Sequence, residues 1–377
     1  MNILYKSMMC ALRYENTTNF SFVSLNNTTN KLKFIRSTFM TEYLNSMSND
    51  SSATTSSTDV SVGDVFRRQV SFGVLQTCQI FSLLAYLFVG YHILASPREL
   101  KKTLSLHVVF ILLVLNFIQV LIDISLALQF LNTGIVRPSL ASTCTVWMFI
   151  DSFTYYLGLL LMAWASFERH LLIFHSQLFN TQRRRFLFHY LPISILCTHG
   201  LVFYVFVDFF YPCTNTFDFT MAFCGLVCYM NLSTPTVFGI EMMAHQVLST
   251  FFIGLFSIGL LVRTIISRQR LQRSVEWRKY RKMIIQLLSI SIVYLIFSVP
   301  FSINPLAQLA GKPTPFPYDL YLNIFSYWAY GIAIFLPVFI AASSPNIVLK
   351  LKQLMNRQRV RHVTPMSVNV PIGTTQL

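Results

Sequence analysis

Two aspartates, Asp123 and Asp151, are the only acids deep inside the long apolar runs of this sequence, and no Lys or Arg shares that depth. A charge at the middle of a membrane helix costs roughly 2.5–3.5 kcal/mol on insertion scales, so ionisable groups held there mark function by default. A carboxylate in an apolar, aromatic setting suits a cation, to which ring faces add about 0.5–2 kcal/mol. Asp151 lies seven residues after Cys144. That spacing puts it two turns, or about 10 Å, into its helix. Arg169 follows 18 residues later. Five full turns place Asp151 and Arg169 on one face, about 27 Å apart. A helix with this layout can connect a ligand site at one end to a partner site at the other; the blander reading is that Asp151 only bonds neighbouring helices.

The elements that carry these residues follow from hydropathy. The chain has 377 residues, 54% hydrophobic and 11% charged, with mean hydropathy +0.55. A soluble domain carries roughly 25% charged residues. The net charge of +15 sits in short blocks between apolar runs, which reads as a membrane-orientation signal and not as a nucleic-acid footprint. A spanning helix needs about 20 mostly apolar residues. Seven runs qualify: 70–95, 105–131, 141–171, 187–209, 240–266, 283–307 and 317–342. The prediction is an all-α membrane protein, a seven-transmembrane helix bundle over 70–342. Residues 1–69, with NDSSATTSSTD at 49–59, read as a mostly disordered tail. No signal peptide is expected in Met1–Cys10, and the run beginning near Val70 is expected to act as an uncleaved signal-anchor.

Orientation follows from the bases. Segments 96–104, 172–186, 263–282 and 343–377 hold 19 of the 29 Lys and Arg and only two acids, Glu99 and Glu276. The positive-inside rule puts them in the cytoplasm and the N-terminus outside, at the plasma membrane. The glycosylation sequons at Asn16, Asn19, Asn26, Asn27, Asn49 and Asn231 all fall in segments placed outside. Cys144, Cys213, Cys224 and Cys228 fall on that side too, where disulfides persist. Four cysteines allow three pairings. Cys144 is expected to bond the loop at 211–235 through Cys224 or Cys228, with Cys213 paired inside that loop.

Cys144, then 25 residues to Arg169 within Glu168-Arg169-His170, resembles the rhodopsin-like G-protein-coupled receptors. These carry an outer cysteine on their third helix and an acid-Arg-aromatic triplet at its inner end. The resemblance covers about 70–358. Pro300 and Phe301 match the sixth-helix proline and the aromatic after it, and Pro337 matches the seventh-helix proline. Tyr330 matches a tyrosine that in some members bonds an acid at the position of Asp151. Ser344-Pro345 reads as a helix start. Ile347, Leu351, Leu354 and Met355 then line one face, as in a short amphipathic eighth helix over 343–358, before a cytoplasmic tail at 359–377. Departures are many. Ser298 stands where tryptophan is usual, Leu336 and Ile340 replace the usual Asn and Tyr around Pro337, Asn116 falls near the usual sodium-site acid, and no acid precedes Pro300 at the spacing that would lock Arg169.

The resemblance implies a receptor for an extracellular amine or peptide, held between Asp151, Tyr155, Phe301 and Tyr330. Glu168, Arg169, His170, Pro300 and Pro337 would serve activation, with a heterotrimeric G protein meeting Arg169 and the basic segment 263–282. That segment would also lie against membrane lipid. An enzyme is not expected, since neither H-E-x-x-H nor G-x-S-x-G occurs; nor is a metal or cofactor. Thr375-Gln376-Leu377 resembles a PDZ-binding ending. The rival is a transporter or channel for a small solute, which would want paired polar groups at mid-membrane and broken helices or repeats.

Overall fold

The computed structural model describes residues 62–95, 104–225, 227–230, 235–270, 276–309, 315 and 324–343. The six sequons, the amphipathic segment after Ser343, the tail with Thr375–Leu377 and residues 271–275 of the basic segment lie outside the described residues.

Among the described residues seven long helices make up the fold: α1 (Val62–Leu94), α2 (104–133), α3 (Ala141–Phe174), α4 (Gln182–Phe210), α5 (235–270), α6 (Glu276–Leu309) and α7 (Ser326–Ser343). No strand occurs among the described residues. Six of the seven are long and apolar enough to cross a membrane, and α6 contributes the apolar stretch Leu288–Asn304. The seven-helix bundle predicted from the apolar runs is the fold observed, and the protein is a multi-pass membrane protein. α3 is the central element and packs against α2, α4, α5 and α6, while α1 packs against α2 and α7. Exposed faces are apolar where helices meet no neighbour, as at Phe81 and Leu87 on α1, Val202 on α4 and Ile258 on α5. Such a surface is stable only in lipid.

Pro300 and Pro337 lie inside helices, and the carbonyl that each leaves open has a partner on an adjacent helix. A helical proline lacks the N–H that would bond the carbonyl four residues back. Pro337 in α7 therefore frees the Ala333 carbonyl, and the Tyr86 hydroxyl of α1 donates to it at 2.7 Å. Pro300 in α6 frees the Ile296 carbonyl, and the Trp328 indole N–H of α7 donates to it at 3.2 Å. Trp328 also packs on the Phe297 ring, centroids 5.0 Å apart, and Phe297 stacks on Phe335 at 5.7 Å. Gly331 makes this clasp of α6 on α7 close, because a Cβ there would overlap the Phe297 ring. Tyr86→Phe is expected to lower stability by roughly 1–3 kcal/mol, the cost of leaving a buried carbonyl bare; thermal unfolding in detergent measures it, and an unshifted melting curve would contradict the capping role.

Three helices are interrupted by wide π turns: Gln119–Asp123 in α2, Phe186–Tyr190 and Phe206–Phe210 in α4, and Glu241–Leu248 in α5. π turns concentrate at functional positions because they turn a side chain off the helix's regular stripe. Each of these four holds a buried ionisable residue: Asp123, His189, Asp208, and Glu241 with His245.

Candidate functional site

Asp123 is the node at the disulfide-bearing end of the bundle. It is fully buried in the π turn of α2. Its Oδ1 accepts from the Trp147 indole at 2.7 Å and from the Tyr330 hydroxyl at 2.8 Å. Three helices thus meet on one carboxyl oxygen. The Asp151 carboxyl lies on the next turn of α3 below Trp147, within electrostatic range of Asp123. The sequence had matched Tyr330 to a partner at Asp151. The structure corrects this: Tyr330 bonds Asp123, since the π turn carries that side chain inward to α3 and α7.

Tyr155, one turn below Asp151, meets Phe301 of α6 edge to face, centroids 6.0 Å apart. Asp151 also lies within electrostatic range of Tyr330. All four sequence-predicted ligand residues therefore border one region between α3, α6 and α7. Two further acids border the same region from α4 and α5. Glu241 is fully buried and accepts from the Tyr229 hydroxyl at 3.3 Å. Asp208 is 4% exposed and neither of its carboxyl oxygens has a hydrogen-bond partner. Asp151 feels both of them as well as Asp123. Among the described residues none of the four forms an ion pair.

The segment after α4 covers this region. Cys144 is bonded to Cys224 and Cys213 to Cys228. Phe223 and Cys224 both take left-handed backbone, at φ 55° each, and Gly225 follows at φ 84°. Left-handed backbone costs about 1–3 kcal/mol for a residue other than glycine and persists only where its surroundings impose it. Here the disulfide to α3 imposes it, and the result is to drive the Phe223 ring down onto Trp147, 5.2 Å between centroids, with Tyr327 at 6.2 Å and Tyr330 at 6.5 Å. Outside the membrane-spanning segments, Tyr229 has its phenol pushed well above the usual value by burial, with the charges of Glu241 and Asp208 adding to it.

At the opposite end Glu168 and Arg169 are both buried. Glu168 pairs with His189 of α4, and His189 in turn hydrogen-bonds His107 of α2 at 3.1 Å. Arg169 Nε and Nη1 have no hydrogen-bond partner among the described residues. His170 donates from Nε2 to the Phe256 carbonyl of α5 at 2.8 Å. The Asn116 side chain, where the sequence expected a departure from the usual sodium site, donates to the Leu112 carbonyl at 2.7 Å and to the Tyr294 hydroxyl at 3.4 Å.

Trp147, Phe223, Asp208, Glu241 and His189 are the site residues that sequence reasoning missed. Asp208 and Glu241 stand at the ends of their apolar runs; their signal is that each lies within four residues of an aromatic or histidine.

In sequence, no protein-family model and no curated protein matches the chain. Among solved structures, it is similar to the crystal structure of squid rhodopsin, with a TM-score of 0.58 and 16% identity over 79% of this chain and 89% of that one. The helix order, the central α3 and this superposition agree: the chain has the seven-helix fold of the rhodopsin-like G-protein-coupled receptors.

Proposed function

We propose that the protein is a plasma-membrane receptor, N-terminus outside, that couples an extracellular cationic amine or peptide to a cytoplasmic G protein. The observation that carries the ligand reading is a set of four acids, Asp123, Asp208 and Glu241 buried and Asp151 half-buried, none in an ion pair among the described residues. Buried carboxyls need a counter-charge or a proton. A protonated nitrogen sits against Asp151 and Asp123, with Tyr155, Phe301 and Tyr330 presenting aromatic faces. Only a ligand that binds one helix arrangement better than another shifts the equilibrium. Cation binding tightens α2, α3 and α7 around Asp123, and α6 responds by bending at Pro300. Arg169, free at Nε and Nη1, then meets the G protein together with the basic end of α5 and the start of α6, which also rest on anionic lipid.

The test is agonist-driven nucleotide exchange, in nanodiscs with added G protein, across amine and basic-peptide libraries. Asp151→Ala is expected to raise the half-maximal concentration of a hit at least 100-fold, and Asp151→Asn nearly as much, because the charge is what the ligand reads. Equal full potency in both variants would remove Asp151 from the site. The Asp123–Asp151 pair is also what a cation carrier would want at mid-membrane; amine flux into liposomes without any G protein would favour that reading instead.

A further inference from the structure

Asp208 and Glu241 stand apart from the three-helix node at Asp123. They come from α4 and α5, each within a π turn, and stand four residues from Tyr204 and His245 respectively, whose side chains hydrogen-bond each other across the two helices at 3.2 Å. Around them stand three tyrosines. Tyr204 and Tyr156 are stacked, centroids 5.8 Å apart and planes 2° from parallel. Tyr229 donates to Glu241 at 3.3 Å, and the Tyr204 hydroxyl hydrogen-bonds His245 at its Nδ1. All three tyrosine rings are buried. Glu241 is thus held at Oε1 by one hydroxyl donor while its Oε2 has no hydrogen-bond partner, and Asp208, 4% exposed, has neither oxygen partnered. A buried carboxylate group left so is costly unless a ligand completes it. Two carboxyls walled by tyrosine faces have the composition of an ammonium site.

We propose that Asp208 and Glu241, with Tyr156, Tyr204 and Tyr229, bind a second cationic nitrogen, so that the receptor's ligand carries two protonated nitrogens on one chain. This rests on the reading that a first cation sits at Asp151. Tyr155 of the first subsite meets Tyr156 of the second at 5.1 Å between ring centroids, and Tyr156 stacks on Tyr204, so the two subsites adjoin, and a ligand that spans them gains by linkage without any new contact type. A ligand with one nitrogen leaves Asp208 unsatisfied. Both a free alkyl polyamine and a peptide with two neighbouring basic groups have the required chemistry.

The experiment uses the purified full chain in nanodiscs and follows thermal unfolding. The probes are α,ω-diaminoalkanes of three to ten carbons and the matched monoaminoalkanes. A second arm uses a dipeptide amide with an N-terminal amine and a lysine, against the same dipeptide with norleucine for lysine. At one chain length the diamine is expected to stabilise the protein at a concentration at least tenfold below that of its monoamine. Asp208→Asn and Glu241→Gln are each expected to erase that tenfold advantage, while Asp151→Asn weakens both probes. If only the dipeptide shows the advantage, the source is a peptide; if only the alkane does, it is a polyamine. A diamine no better than its monoamine at every length in the wild-type chain, with no dipeptide advantage, overturns the second subsite and leaves the first standing. An advantage that survives Asp208→Asn and Glu241→Gln also overturns it. Failure of every amine to stabilise the wild type overturns both readings.

Discussion

Asp123→Ala is expected to abolish ligand response and to destabilise the bundle by about 2–6 kcal/mol, the cost of leaving two buried donors without partners. Asp123 has no exposure, and its Oδ1 is the shared acceptor for Trp147 of α3 and Tyr330 of α7. Alanine leaves an indole N–H and a phenol O–H buried without partners, at roughly 1–3 kcal/mol each, and releases α2 from both neighbours. Asp123→Asn separates charge from architecture. Its amide oxygen still accepts from both donors, so the fold should survive with a melting temperature near that of the wild type, while cation-driven exchange falls at least tenfold. Thermal unfolding in detergent and nucleotide exchange measure the two effects. An alanine variant that melts within a degree of the wild type would show that Asp123 is not the node.

Gly331→Ala is expected to raise ligand-independent nucleotide exchange about tenfold. The α6–α7 clasp depends on the Phe297 ring lying directly on Gly331, with Trp328 donating to the carbonyl that Pro300 leaves open. An added methyl overlaps that ring, and forced overpacking costs about 1–3 kcal/mol. The cost falls on the arrangement in which α6 is seated against α7. A two-state equilibrium moves tenfold for about 1.4 kcal/mol of differential stability, so the displaced arrangement gains by that order. The double variant Gly331→Ala with Phe297→Ala restores room and should return basal exchange towards the wild-type level. A single variant with unchanged basal exchange would mean that helix displacement does not begin at this contact.

Legibility in the sequence varied from helix to helix. α3 runs 34 residues without interruption, so counting turns from Cys144 placed Asp151 and Arg169 on their proper ends. The apolar runs located all seven helices because lipid imposes a length and a hydropathy that short-range statistics can read. Partners were harder. Tyr330 was matched to Asp151 by spacing along α7, yet spacing within one helix carries no information on which neighbour faces it. Asp208 and Glu241 read as boundary charges because hydropathy falls at both, and their burial comes from packing α4 on α5. Phe223 was invisible for a different reason: its position depends on a left-handed backbone imposed by a disulfide 80 residues long in sequence. Glu168 illustrates the same limit, since its partner His189 lies on another helix.

The wide turns of α2, α4 and α5 bear on how this chain compares with any other of its shape. An i→i+5 bond encloses one residue more than the α-helical bond it replaces, so each such turn acts as a one-letter insertion hidden within continuous helix. Beyond Asp123, Tyr190 or Leu248, positions counted from a helix landmark are out of step with those of a regular helix. Gapless alignment then sets each inward acid against a neighbour's lipid-facing residue, and equivalence in these three helices is measured by superposed Cα atoms and not by counting.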